Sequence, residues 1–342
     1  MFLRNHWYVA AEPKEIGREP LGRRILGDAL VFYRRQDGTP VAMQDHCPHR
    51  KYALSRGRIE GDEIRCLYHG LKFDGKGTCT FVPGQDRIPS TLRARTYPLK
   101  EKHGWVWIWM GDAAGADESK IADFHLNTDP LWRGVFGYLK IDCDYRLILD
   151  NFLDLTHVGY VHVGTIGNAP VSDAKLDIVA DHGQVQFKRT MQAVPPSPTF
   201  VKAMGHEGKI DRRTTSTWLP AGHFLNEVNA RRAGSDDPAH AIRFFVNNSL
   251  TPETATSTHY FYAVTRNFQL DNPAMGELLG SENAAAFQED KVVIELQQRM
   301  IEMESPQTPI MPFAADRALL AMRRELERLE LQEGVAPIMA SG

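Results

Sequence analysis

Two short segments carry the residue types best suited to metal chemistry. Cys47-Pro48-His49-Arg50 and Cys66-Leu67-Tyr68-His69-Gly70 each pair one thiolate donor with one imidazole, and sixteen residues lie between His49 and Cys66. Two Cys and two His form the ligand set of a [2Fe–2S] centre whose thiolates bind one iron and whose imidazoles bind the other. The same donors also build a tetrahedral structural zinc site. Order and flanks favour the cluster, because a zinc finger groups its cysteines before its histidines, whereas here Cys and His alternate. The Pro, Tyr and Gly neighbours suit two tight loops that meet at their tips and turn backbone N–H groups toward the cluster sulfurs.

A second constellation spans Asn151-Phe152-Leu153-Asp154-Leu155-Thr156-His157-Val158-Gly159-Tyr160-Val161-His162. Asp154 and His157 are three apart and share one face of a helix. His162 lies five beyond His157, off the helical repeat, so the spacing predicts a bulge or break near Gly159. Two imidazoles from one bent helix can fill adjacent corners of an iron coordination sphere. A carboxylate from elsewhere completes a 2-His-1-carboxylate facial triad with open positions for oxygen. The best carboxylate is Asp290, which opens the apolar helical stretch Lys291-Val292-Val293-Ile294; Glu289 and Glu295 compete for the role. The competing reading makes these histidines capped or core-lining residues.

The elements that must hold these residues change character near residue 115. Before it, short β-like runs alternate with turn signals: Ile25 to Arg34 precedes Gln36-Asp37-Gly38, and Gly70 to Phe73 precedes Asp74-Gly75-Lys76-Gly77. This pattern predicts a small all-β domain with the cysteine loops between strands. Trp105-Val106-Trp107-Ile108-Trp109 reads as its buried closing strand. Gly111 to Asp117, small and polar, is the linker expected between domains 1–115 and 116–342. The second part mixes helical segments (145–163, 281–304, 315–331) with strands at 241–250 and 256–267, an α+β domain.

Composition sets limits. A chain of 342 residues with net charge -3 and no basic stripe makes nucleic acid an unexpected partner. No apolar run approaches a membrane span, and Arg4 interrupts the N-terminus before a signal-peptide core can form. A cytoplasmic protein is expected, with Cys79 and Cys143 as small buried hydrophobes rather than a disulfide. Gly75-Lys76-Gly77 is a turn, not a nucleotide fingerprint.

The C-x-H…C-x-x-H and D-x-x-H-x-x-x-x-H patterns occur together, with the opening Phe2-Leu3-Arg4-Asn5-His6-Trp7-Tyr8-Val9-Ala10-Ala11 and the later Leu250-Thr251-Pro252-Glu253-Thr254, Arg266-Asn267-Phe268 and Glu289-Asp290-Lys291. In these the chain resembles the Rieske non-haem iron oxygenases. The likeness is to the group of vanillate O-demethylase, toluenesulfonate methyl-monooxygenase and dicamba O-demethylase oxygenase components, over nearly its whole length. The resemblance implies an N-terminal all-β Rieske domain and a C-terminal α+β helix-grip catalytic domain with an antiparallel sheet. It implies cluster ligands at Cys47, His49, Cys66 and His69, and mononuclear Fe(II) ligands at His157, His162 and Asp290. Asp154 matches the acidic residue that links the two metal centres between neighbouring subunits of a head-to-tail homotrimer. A separate flavin and [2Fe–2S] reductase, or a ferredoxin, is the implied electron donor. The implied chemistry is O2-dependent hydroxylation of a methyl or methoxy group of a small aromatic compound, with O-demethylation of a methoxybenzoate-like acid favoured. Aryl methyl hydroxylation, N-demethylation and ring hydroxylation are the alternatives on the same scaffold.

Substrate contacts are less legible. If 241–250 is a strand, Ile242, Phe244, Val246, Asn248 and Leu250 share one face, and Asn248 is the polar group available there as an anchor; backbone bonding is the competing reading. Arg231, Arg232 and Arg243 can bind an acid group but default to the surface. A Rieske electron carrier and a zinc-stabilised binding protein are the non-enzyme alternatives. The two hundred or so residues beyond the linker, and the second metal constellation, argue against the carrier.

Overall fold

The computed structural model describes residues 2–163, 166, 176–181, 183–304 and 311–334. The chain divides into two compact units. One comprises Arg4–Ile121 with Pro252–Thr254, and the other Met1–Leu3, Ala122–Thr251 and Ala255–Gly342.

The first unit is all-β. Its strands are β1 (Trp7–Ala11), β2 (Leu21–Ile25), β3 (Asp28–Arg34), β4 (Pro40–Gln44), β5 (Arg58–Glu60), β6 (Glu63–Arg65), β7 (Lys72–Phe73), β8 (Cys79–Phe81), β9 (Leu99–Lys102) and β10 (Trp105–Trp109). They form small sheets ordered β1-β10-β9, β2-β3-β4 and β5-β6-β7-β8. Every residue of β10 is buried, because it is the middle strand and is covered on both faces. Trp7 stacks obliquely on its register partner Trp109 at 5.7 Å. The run from Ile25 to Arg34 is not one strand: Leu26 and Gly27, both at positive φ, turn the chain between β2 and β3.

The expected break at residue 115 falls instead between Ile121 and Ala122. The linker is folded onto the all-β unit as two 3-10 turns, Ala113–Gly115 and Glu118–Lys120, whose N-caps are Asp112 and Asp117. Trp7 Nε1 donates to the Asp117 carbonyl at 2.8 Å, and Lys120 lies over the Trp109 ring. Small polar residues here serve as caps rather than as a free tether.

The second unit is built on one antiparallel sheet. Its strands are β11 (Arg133–Ile141), β12 (Leu176–Asp181), β13 (Gln184–Val194), β14 (Ile210–Leu219), β15 (His223–Arg232), β16 (Ala241–Thr254) and β17 (Ser257–Arg266), in the order β11-β17-β16-β15-β14-β13-β12. The helices among the described residues are α1 (Tyr145–Leu153), α2 (Val158–Val161), α3 (Pro198–Met204), α4 (Pro273–Met303) and α5 (Arg317–Gln332). The α4 helix packs on β11, and α5 packs on β12, β13 and α1. Buried side chains of α4 recur as Leu279, Asn283, Phe287, Asp290, Ile294 and Gln298, a stripe at helical spacing facing the core. Phe152, Phe187, Trp218, Phe224, Tyr260 and Phe287 fill the space between sheet and helices. Among the described residues, no helix is long and apolar enough to cross a membrane.

Candidate metal centres

The two cysteine segments fold into matching loops. Cys47 follows β4, and its N–H donates to the Tyr52 carbonyl while its own carbonyl accepts from Lys51, both at 2.8 Å. Cys66 follows β6 and repeats the pattern with Leu71 (2.8 Å) and Gly70 (3.0 Å). Each loop needs a left-handed residue four places after its cysteine. Gly70 takes φ 78° without strain, whereas Lys51 holds φ 60° despite its side chain. Arg65 braces the second loop by donating to the Gly70 carbonyl at 3.0 Å and to Glu60 at 2.8 Å.

Both cysteines are free and 1% exposed, whereas His49 and His69 are exposed, with ring centroids 4.6 Å apart. The thiol end of the site is therefore dry and the imidazole end faces solvent. Burial pushes the Cys47 thiol up to about 11, while the N–H groups of His49 and Arg50 facing the sulfur pull it down. Those N–H groups suit a thiolate bound to metal. Partial desolvation, with the charges of His49 and Arg50, lowers the pKa of His69. Among the described residues, His157, His162 and Asp290 also bring three donor atoms within 4.8 Å of one another.

The second constellation is bent, but not at Gly159. Helix α1 stops at Leu153, and Asp154 is extended (φ −114°, ψ 100°). A 3-10 turn, Leu155–His157, then leads into α2. The Asp154 carboxylate caps that turn, accepting from Thr156 N–H and Oγ1 at 2.9 Å each. Asp154 orients His157 through its backbone carbonyl, which accepts from Nδ1 at 2.6 Å, and not through the carboxylate as a shared helix face had implied. His162 Nδ1 donates to Glu289 Oε2 at 2.7 Å. With both Nδ1 atoms held, both histidines present Nε2 inward: His157 at 3.4 Å and His162 at 3.1 Å from Asp290 Oδ1. Asn151 Nδ2 donates to that same oxygen at 3.1 Å.

The structure also sorts the three competing carboxylates. Asp290, 8% exposed, points from the buried stripe of α4 to the histidines. Glu289 stands behind His162, and Glu295 accepts from the Asp142 N–H. Burial lowers the pKa of His157, which favours the neutral imidazole a metal would need, though Asp290 opposes this. Burial also works against a charge on His162, but Asp290 and Glu289 together outweigh it and raise its pKa. Glu289 and Asn151 were not singled out from sequence as supports; their positions one residue before Asp290 and one turn before Asp154 were the available signal.

Asn248 does not present a free anchor. Its amide donates to the Phe224 and Val246 carbonyls (3.3 and 3.1 Å), and its oxygen accepts from Tyr260 OH at 2.7 Å. It fixes Tyr260, whose ring packs on Phe287 at 5.1 Å, one turn before Asp290. Arg243 is paired with Glu227 and Arg231 with Asp236. Cys79 and Cys143 are buried free thiols.

An all-β unit with paired Cys/His loops, and a sheet-and-helix unit with a 2-His-1-carboxylate cluster, define a two-centre iron oxygenase. Residues 6–98 match the Rieske [2Fe-2S] domain, and residues 141–332 match the vanillate O-demethylase oxygenase C-terminal domain. The chain belongs to this family of Rieske non-haem iron oxygenases, and its cofactors are a Rieske [2Fe–2S] cluster and mononuclear non-haem iron. It is 37% identical to a putative toluene-4-sulfonate monooxygenase system iron-sulfur subunit of Comamonas testosteroni, covering 98% of this chain and 100% of that one. It is likewise 37% identical to the dicamba O-demethylase oxygenase component of Stenotrophomonas maltophilia, over 97% and 99%. The crystal structure of dicamba monooxygenase bound to 3,6-dichlorosalicylic acid superposes with a TM-score of 0.92 at 36% identity, over 98% and 99% of the chains. The same enzyme with non-haem iron and dicamba gives 0.84 at 35% identity, over 97% and 98%.

Proposed function

We propose that this chain is the terminal oxygenase component of a multicomponent monooxygenase. It hydroxylates a methyl or methoxy group of a small aromatic compound, with O-demethylation of a methoxybenzoate-like acid as the leading reaction. The observation that carries this reading is the convergence of His157 Nε2, His162 Nε2 and Asp290 Oδ1, with both Nδ1 atoms fixed by acceptors behind them. In this reading Cys47 and Cys66 hold one iron of the cluster, His49 and His69 the other, and His157, His162 and Asp290 hold the mononuclear iron.

When bound, the metal centres supply O2 activation and electron storage. The chain supplies placement. Asn151 steadies the Asp290 carboxylate, Glu289 and the Asp154 carbonyl fix the imidazoles, and the aromatic core keeps the surroundings dry. Overall, the methyl carbon, O2, two electrons and two protons give the alcohol and water. From a methoxy group the product is a hemiacetal that collapses to a phenol and formaldehyde.

The electrons come from a separate flavin and [2Fe–2S] reductase or a ferredoxin, and the exposed imidazole end of the cluster site is where they would leave. A homotrimer in the cytoplasm completes the reading: Asp154 of one subunit accepts an N–H from a cluster histidine of the next. Heterologous contacts of this kind close by rotation, so three chains give three sites. The test is oxygen uptake and formaldehyde release with a surrogate reductase across methoxybenzoates, aryl methyl sulfonates and N-methyl aromatics. Uptake coupled to formaldehyde with a methoxy acid supports demethylation; alcohol without formaldehyde points to methyl hydroxylation. No coupled uptake across the panel overturns the reading.

A further inference from the structure

The inner face of the catalytic sheet carries two arginines where its alternation calls for apolar residues. On β13, Val185, Phe187, Arg189 and Met191 are buried in turn, while Lys188 and Thr190 between them are exposed. Arg189 is 3% exposed. In the neighbouring strand β14, Arg212 pairs with Met191 and Thr214 with Arg189, so the two arginines are diagonal neighbours on one face. Arg189 lies over the Phe187 ring at 5.5 Å and Arg212 over Phe200 of α3 at 4.7 Å. Such stacking covers the guanidinium planes and leaves the N–H edges for a planar acceptor.

Those edges are unmatched. Nε and Nη1 of both arginines are buried and reach no hydrogen-bond partner among the described residues. Folded proteins pair buried charges, and two like charges side by side make the omission more costly. The carboxylate that acts on Arg189 is Asp154, which is hydrogen-bonded to Thr156, and the charge acting on Arg212 is the repulsive one of Arg189. Among the described residues, two cations thus face one carboxylate, which leaves one positive charge for a ligand. Burial and Arg189 lower the pKa of Arg212 to about 10, so its guanidinium still carries its charge at neutral pH; burial lowers the pKa of Arg189 as well, and an arginine side chain keeps its proton in proteins.

The face that holds this pair also reaches the iron segment. Met191, two residues beyond Arg189 on the same face, packs against Val158, the residue after His157. We infer that Arg189 and Arg212 form the anion subsite of this enzyme, gripping the carboxylate or sulfonate of an aromatic substrate whose methyl or methoxy group is presented to the His157–His162–Asp290 centre. The inference rests on the oxygenase reading for its reaction but not for its binding. A planar carboxylate or a sulfonate offers oxygens for the free N–H edges, and its single negative charge balances the site. A neutral aryl ether offers neither.

The test is calorimetric binding to the oxidised, metal-loaded protein, with no reductant, so that no turnover is needed. The probes are 4-methylbenzenesulfonate, 4-methoxybenzoate and neutral 4-methylanisole. The anions are expected to bind at least tenfold tighter than the ether. Arg212→Met and Arg189→Met should each lose tenfold or more for the anions and keep the ether's affinity, and Arg212→Lys should recover part of the loss. In turnover, KM for the acid should rise more than kcat falls. Circular dichroism and cluster absorbance report whether each variant is folded, and Arg212→Lys, which keeps charge and length, carries the test if the Met variants are not. Equal affinity for anion and ether in the unaltered protein overturns the subsite. So do Met variants, or a folded Arg212→Lys, that bind anions exactly as tightly as the parent while gaining thermal stability, which makes the arginines structural. Tight arginine-dependent binding without oxygen uptake would sink the oxygenase reading and leave the subsite standing. Turnover of the ether with no anion binding would do the reverse.

Discussion

Removing the carboxylate behind His162 should weaken iron binding without touching a ligand. His162 is 1% exposed, so when Glu289 becomes Ala its Nδ1–H loses its 2.7 Å acceptor. An unsatisfied buried donor costs about 1–3 kcal/mol. The ring can escape that cost by moving its proton to Nε2, which aims the proton at Asp290 and at the iron. Either way iron affinity falls, by roughly 10–100-fold, or about 1.4–2.7 kcal/mol. Glu289→Gln keeps an acceptor and loses the charge. The Glu289 side chain is one-third exposed and its charge is screened, so Gln should sit near the lower end, about tenfold. The assay is anaerobic Fe(II) competition against a chromogenic chelator, with visible absorbance of the cluster as the folding control. An Ala variant that holds iron as tightly as the parent would refute the assignment of Glu289 as the support of a ligating His162.

Iron affinity should also fall as pH drops through the raised pKa of His162, because metal must displace a proton that Asp290 and Glu289 help to hold. In metal-free protein the sign reverses: the protonated pair stabilises the fold below about pH 6.5, and that contribution disappears as pH rises through the folded value, readable as Tm against pH. Cys66→Ala should abolish the axial, low-average-g electron-spin signal of the reduced cluster while iron remains at the second site. Asp154→Asn should keep the cap on Thr156, the carbonyl on His157 and both metals, yet lose nearly all turnover; wild-type activity in a metal-replete variant would remove Asp154 from the electron route. Gly77→Ala should prevent folding of the all-β unit, since the new Cβ would lie 2.0 Å from the Ala94 carbonyl oxygen at φ 76°, and a colourless product is the expected readout.

The candidate metal ligands were legible because chemistry fixes their types and spacing, and the tryptophan strand because its burial is written in every residue. The support around the ligands was not. Asp154 looked like a helix-face partner of His157, but a short acidic residue before a turn is a better cap than a side-chain bridge, and the helix broke there instead of at Gly159. Asn248 looked like a free polar group on an apolar strand, and only the register with β15 and β17 brings its acceptors and Tyr260 into reach. Strands β13 and β14 escaped notice because Arg189, Arg212, Thr214 and Ser216 occupy inward positions, erasing the apolar alternation that marks a half-buried strand. The departure from pattern coincides with the proposed binding face.

The central claim is that electrons stored at the cysteine–histidine loops are delivered to chemistry at His157, His162 and Asp290. The direct measurement is a single turnover without reductase. The protein is reduced in the absence of air, freed of reductant, and mixed with O2 and a substrate from the methoxy acid panel. Formaldehyde and reoxidation of the cluster should appear at the same rate, with one product for every two electrons lost. His162→Ala should keep its cluster reduced over that interval and form no product. Product formation in His162→Ala, or cluster reoxidation in the parent that bears no relation to product, would contradict the account.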